Sequence, residues 1–191
     1  LNTDQNRVWV DIDDIPEIVL DTFVAVEDQR FFEHDGVDWK RTLSVTVSAV
    51  FSGGTDGGST ITQQLVRDIT QDNKVNVGRK LREIFRALAL EQKYTKMDIL
   101  ESYLNRIAFG GTTYGIGSAA KQYFDKDVSE LTVAEGAILA GIVRSPSNYN
   151  PYANLKNCRE RQLYALKCLY DQGYITTSEY DSAVAEQVRF R

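Results

Sequence analysis

Apolar positions along the chain recur at three- and four-residue intervals almost throughout, a period that predicts a mainly helical protein. Ile15, Ile18, Val19, Thr22, Phe23 and Val26 keep this spacing behind Asp14 and Pro16, where the missing proline N–H falls harmlessly in a first turn. The predicted helix delivers Glu27 and Asp28 near its C-terminal end. From Trp39 to Phe51 a Val- and Thr-rich run fits a strand or a buried helix, and its length favours the helix. Ser52 to Gly58, with glycines at 53, 54, 57 and 58, breaks the pattern as a loop. Thr60 and Gln63 then form a capping-box signature for a helix reaching about Thr70. The next predicted helix, about Val77 to Tyr94, sets Val77, Leu81, Ile84 and Leu88 on a core-facing stripe and Arg79, Arg82, Glu83 and Arg86 on another face. Thr95 with Asp98, Thr132 with Glu135 and Thr176 with Glu179 open further helices, and Gly173 closes one. No alternating strand pair with a hairpin turn is visible. The pattern gives one mainly α domain over residues 1–191.

With 191 residues, 42% of them hydrophobic, the chain can bury a sizeable core. A formal net charge of −5 argues against a nucleic-acid partner, whose binding surface must neutralise phosphates. The charge is uneven, however. Lys74, Arg79, Lys80, Arg82 and Arg86 lie within a short segment in which Glu83 is the only acid. On charge alone such a run reads as a solvated helix face. No apolar stretch approaches the roughly 18–20 residues that span a bilayer, and no signal-peptide pattern is present. The first residue is Leu1, not Met, so a piece of a longer protein is expected. Cys158 and Cys168 fall on one predicted helix about 15 Å apart, beyond disulfide reach, and read as small buried hydrophobes.

Chemistry is restricted by the single histidine, His34. No nucleophile elbow accompanies it, which disfavours a hydrolytic triad, and no His/Cys cluster suggests zinc. Ser118 and Lys121 match an S-x-x-K pattern without its partner motifs and read as coincidence on a helix. Carboxylates remain. Glu27 sits between Phe23, Val24 and Val26 and the pair Phe31-Phe32, a setting that suits a general base; a plain helix-end pair with Arg30 is the competing reading. Glu83 follows Arg79 by one turn, and that pair alone is worth a few tenths of a kcal/mol. A basic face around one acid also suits a diphosphate, since arginine forks bind phosphate oxygens bidentately. The stretch Gly57 to Leu65 adds a glycine hinge and a helix start rich in hydroxyl and amide groups, which favours an anion.

Five ordered motifs together resemble the peptidoglycan glycosyltransferase (transglycosylase) domain of class A penicillin-binding proteins and their monofunctional relatives. They are Glu27-Asp28-Gln29-Arg30-Phe31-Phe32-Glu33-His34-Asp35-Gly36; Gly57 to Leu65; Arg79-Lys80-Leu81-Arg82-Glu83; Tyr103-Leu104-Asn105-Arg106-Ile107 with Phe109-Gly110; and Leu131 to Pro151. The resemblance implies a lysozyme-like helical fold with a small membrane-facing jaw at about residues 39–58. It implies polymerisation of lipid II, with inversion, into β-1,4-linked glycan and release of undecaprenyl diphosphate. Glu27 is then the general base and Glu83 the second carboxylate. Asp28, Arg30, Ser59, Thr60, Gln64, Arg67, Arg79 and Lys80 map to substrate binding, and Phe31, His34, Gly36 and Asn105 to structural motif positions. A divalent cation such as Mg²⁺ assisting the diphosphate is implied, with no protein metal site and no organic cofactor. The implied partners are lipid II, the growing lipid-linked glycan, the membrane surface, a C-terminal transpeptidase domain, the cell-wall synthesis machinery and moenomycin-type phosphoglycolipids. The implied location is the extracytoplasmic face of the bacterial cytoplasmic membrane, with an N-terminal anchor helix outside this chain.

In one place the chain departs from the family pattern: Arg67-Asp68 follows Gln63-Gln64-Leu65-Val66 where Lys-Asn is usual. Two other readings share its features. A lysozyme-like hydrolase also uses paired carboxylates but has no need of a diphosphate cradle. A non-catalytic lipid-carrier-binding module would not require Glu27 and Glu83.

Overall fold

A computed structural model describes residues 8–42, 58–72 and 77–191. The chain divides into two compact units, Leu1–Val26 with Leu104–Arg191, and Glu27–Tyr103. The expected run from Trp39 to Phe51 is helical over 39–42; Val45, Val47, Val50, Phe51 and most of the glycine loop and jaw at 39–58 lie outside the described residues.

In the first unit a turn at Ile12–Asp14, capped by the Asp11 side chain, leads into helix α1, Glu17–Glu27. The buried centre is a helix at Val133–Val143, in which every residue from Ala134 to Ile142 is buried. A helix apolar all round must be covered on all sides, and its glycines allow close approach. A Cβ on Gly136 would sit 3.1 Å from Val19 Cγ2, and one on Gly141 would sit 2.9 Å from Arg161 Cγ. Ala134, Ala137, Ala165, Leu166 and Ala183 form the adjoining apolar cluster. The capping boxes at Thr132/Glu135 and Thr176/Glu179 form as the spacing predicts. Cys158 and Cys168 are free and share the helix Leu155–Asp171. Burial pushes the Cys158 thiol up to about 11.

One element departs from the sequence reading. Ala108–Gly110 and Thr113–Tyr114 pair as a short antiparallel ribbon. Its turn uses Gly110 and Gly111, both at positive φ, so the hairpin is carried by glycines and not by the alternation that longer strands require.

The second unit carries α2, Ile61–Thr70, and α3, Val77–Glu91, and it contains most of α4, Lys96–Arg106. Thr60 caps α2 through the expected box with Gln63. Val37, Val66 and Ala87 form its core cluster, with Ile84, Leu88 and Leu90 packed against it. The core-facing stripe expected on α3 is therefore only half right. Val77 and Leu81 are 77% and 51% exposed, as is Phe85 at 68%. Apolar packing is confined to the second half of α3, because Glu83 takes the buried position in the half before it.

Candidate active site

Glu27 ends α1, and the next residues fold into a tight loop fixed by buried charge. Asp28 is fully buried. Its carboxylate accepts from His34 Nε2 at 2.9 Å and from the Ile61 N–H at 2.9 Å. His34 Nδ1 accepts from the Gly36 N–H at 3.1 Å, which assigns the ring proton to Nε2. Asp28 thus ties the loop to the first turn of α2, where free N–H groups need an acceptor. Gly36 closes the loop at φ 96; a Cβ there would meet the Ala87 carbonyl oxygen at 2.7 Å. Its own carbonyl accepts from the Thr60 hydroxyl at 2.7 Å. Phe31 is fully buried and makes edge contacts with Phe32 and His34.

Arg30 directs its fork to Asp38, with Nε and Nη2 each within 2.9 Å of a carboxylate oxygen. Burial alone pushes the Asp38 carboxyl up, but the Arg30 fork and the Arg41 N–H outweigh it and hold Asp38 below its usual value. Arg41 also reaches back, donating from Nη1 to the Glu27 carbonyl at 2.8 Å. Arg30 pairs with Asp38, and not with Glu27 as the helix-end reading has it.

The Glu27 side chain is buried and accepts from Gln64 Nε2 at 3.0 Å. The Tyr103 hydroxyl approaches Gln64 Oε1 at 3.4 Å, which orients the amide with its donor toward Glu27. Burial first, and the Glu27 charge next, push the Tyr103 phenol well above its ordinary range.

On α3, buried Glu83 has both oxygens engaged. Arg79 Nη1 lies 2.6 Å from Oε2, and Lys80 Nζ lies 2.5 Å from Oε1. Lys80 donates as well to the Ser59 hydroxyl at 3.0 Å. Arg67 lies on α2 and shares a shallow cleft with Arg79 and Glu83. A carboxylate flanked by two cations orients them, and an arginine fork beside a lysine is a setting suited to an anion.

Residues 1–169 match the family model described as Transglycosylase. The chain belongs to the transglycosylase family. It is 42% identical over 181 residues to penicillin-binding protein 1A/1B of Bacillus subtilis, covering 94% of this chain and 20% of that protein. Against penicillin-binding protein 1A of Escherichia coli the identity is 40% over 186 residues, covering 97% of this chain and 22% of the relative. A putative transglycosylase of Cupriavidus necator is 39% identical over 183 residues, covering 96% of this chain and 79% of that protein. The chain thus spans about a fifth of the penicillin-binding proteins and most of the shorter relative. The crystal structure of penicillin-binding protein 1A from Haemophilus influenzae superposes with a TM-score of 0.60 at 27% identity, over 97% of this chain and 18% of that one.

The second unit brings together Glu27 with Gln64, and Ser59 and Lys80 with Arg79 and Glu83. Asp28 and Thr60 are fully buried, and their side chains hold the loop and the α2 cap. Asn105 lies in the first unit, where its amide clamps Val10, accepting from its N–H and donating to its carbonyl, each at 2.8 Å. Three contributors went unread in the sequence: Tyr103, Lys96 and Glu91. Lys96 Nζ contacts Glu91 Oε2 and the His34 carbonyl, each at 2.5 Å, and lies 4.6 Å from the Phe31 ring centre. Only the position of Tyr103 within the fourth motif hinted at its part.

Proposed function

We propose that the chain is the glycosyltransferase unit of a peptidoglycan polymerase, joining lipid II units into β-1,4-linked glycan with inversion and release of undecaprenyl diphosphate. The observation that carries this reading is the pair of differently held carboxylates in one compact unit. Glu27 meets a neutral amide, while Glu83 is saturated by Arg79 and Lys80. Environments this unlike suit different roles.

In this reading the 4-hydroxyl of the incoming GlcNAc attacks C1 of the lipid-linked MurNAc. Glu27 accepts the hydroxyl proton as the new C1–O bond forms. The bond from C1 to the diphosphate oxygen breaks, and the electron pair leaves on the diphosphate. Arg79 and Lys80, preset by Glu83, stabilise the charge that develops there. Gln64 orients Glu27, and Ser59 and Arg67 complete the anion contacts. Asp28 and Arg30 act by position: the first through His34 and Ile61, the second through Asp38.

A protein cage for a divalent ion does not fit this site. The oxygens of Glu83 and Asp28 are already engaged, and among the described residues no three acidic, His or Cys side chains gather. The extracytoplasmic membrane location, a following transpeptidase domain and phosphoglycolipid inhibition belong to the same proposal. No described helix is long and apolar enough to cross a membrane.

The test is labelled lipid II incubated with wild type and with Glu27→Gln, products sized by gel. Long glycan from wild type, reduced at least about 100-fold in the variant, supports the reading. Cleavage of preformed glycan by wild type indicates a hydrolase instead. Lipid-carrier binding without either product indicates a binding module.

A further inference from the structure

Arg67, Thr70, Asp72, Arg79, Glu83 and Arg86 line one shallow cleft formed by α2 and α3. Three guanidinium groups therefore face two carboxylates, and both carboxylates are already engaged. Asp72 is held by Arg82 at 2.8 Å, and Glu83 by Arg79 and Lys80. The Thr70 hydroxyl donates to the Val66 carbonyl. The guanidinium groups of Arg67 and Arg86 make no hydrogen bond or ion pair among the described residues. Two unpaired arginines on one cleft repel each other, an arrangement that an incoming anion relieves.

We propose that Arg86 is a diphosphate-binding residue of this chain, forming with Arg67 the ligand-facing cation pair of the cleft. This rests on the diphosphate reading given above. Arg79 and Lys80 share their charge with Glu83, so the net attraction for a highly charged anion comes from Arg67 and Arg86. Arg86 lies seven residues beyond Arg79, two helical turns along α3. The row of cations thereby extends past Glu83 and matches two phosphoryl groups better than one.

The test measures binding of inorganic pyrophosphate, a short-chain prenyl diphosphate and inorganic phosphate by titration calorimetry, alongside lipid II kinetics. The exposed Arg86 allows substitution with the fold retained, which a thermal melt verifies. Arg86→Ala is expected to weaken prenyl diphosphate binding at least about tenfold, a loss of one charge-assisted contact. KM for lipid II rises in step while kcat stays within about threefold, and Arg86→Lys recovers part of the loss. Wild type prefers the two diphosphates to phosphate. Lys93→Ala, which removes an exposed charge just beyond α3, leaves binding unchanged.

Wild-type diphosphate affinity in Arg86→Ala, with binding lost in Arg67→Ala, overturns the proposal and leaves the proposed function standing. So does polymerisation by a wild type that binds no diphosphate. Arg86-dependent diphosphate binding by a wild type that makes no glycan retains the subsite and rejects the polymerase reading.

Discussion

Gln64 donates to Glu27 at 3.0 Å while its own carbonyl oxygen lies 3.4 Å from the Tyr103 hydroxyl. The fully buried phenol thereby acts on the carboxylate at one remove. Tyr103→Phe keeps the packing and frees the amide to flip. One hydrogen bond of about 1 kcal/mol corresponds to a kcat reduction of about three- to tenfold, with KM little changed. The substitution also has a pH signature. The folded phenol holds its proton well above its ordinary range, so the unfolded state releases that proton first. Stability then falls as pH rises past about 10. Thermal melts from pH 9 to 11 are expected to show a shallower decline in Tyr103→Phe than in wild type.

Gly36 joins the loop that carries Asp28 and His34 to α3 with no room for a side chain. Its φ is 96, and an added Cβ meets backbone, the Ala87 oxygen at 2.7 Å, so no side chain can swing clear. Gly36→Ala is expected to destabilise by about 1–3 kcal/mol, read as a shifted denaturant midpoint. Activity is expected to fall further than stability, since the Gly36 carbonyl also holds the Thr60 cap of α2. Full activity with only a lowered melting temperature would detach this loop from catalysis.

Capping boxes and helix order were legible because each is written in local spacing, whereas Glu27, Gln64 and Glu83 lie far apart in the chain and were brought together only by the resemblance of their motifs. Thr60 with Gln63 and Thr132 with Glu135 are each recognised within four consecutive residues. The outward turn of Val77 and Leu81 was not legible. Periodicity marks a stripe, but Lys80 and Glu83 compete for the same side of the helix, and the tertiary site decides which is buried. The Gly110-Gly111 ribbon escaped because its strands are too short to alternate. The contact of Lys96 with the His34 carbonyl joins residues 62 apart in sequence, a separation that no local pattern encodes.

Asn105 satisfies both backbone groups of Val10 and is itself buried. A buried donor and acceptor lose their partners together when the amide is removed. Asn105→Leu is expected to cost about 2–4 kcal/mol, and Asn105→Asp, which can accept but not donate when ionised, a comparable amount. Hydrogen exchange at the Val10 amide is expected to accelerate in both. Unchanged protection there would show that other contacts hold this segment.

Lys96 is the keystone behind the Glu27 loop, and its removal separates charge effects from geometry. The Glu91 side chain is 6% exposed and binds Lys96 on one oxygen and the Thr62 hydroxyl, at 2.5 Å, on the other. Lys96→Met leaves that carboxylate buried with a single neutral donor, a loss of about 3–5 kcal/mol. It also frees the His34 carbonyl, and through His34 the hydrogen bond that positions Asp28 beside Glu27. Adding Glu91→Gln to Lys96→Met removes the stranded charge while keeping an acceptor for Thr62. The double variant is therefore expected to regain stability relative to Lys96→Met, by denaturant melts, without regaining kcat. Recovery of both would mean that Lys96 serves only to neutralise Glu91, and recovery of neither would place its role in the contacts to His34 and Phe31.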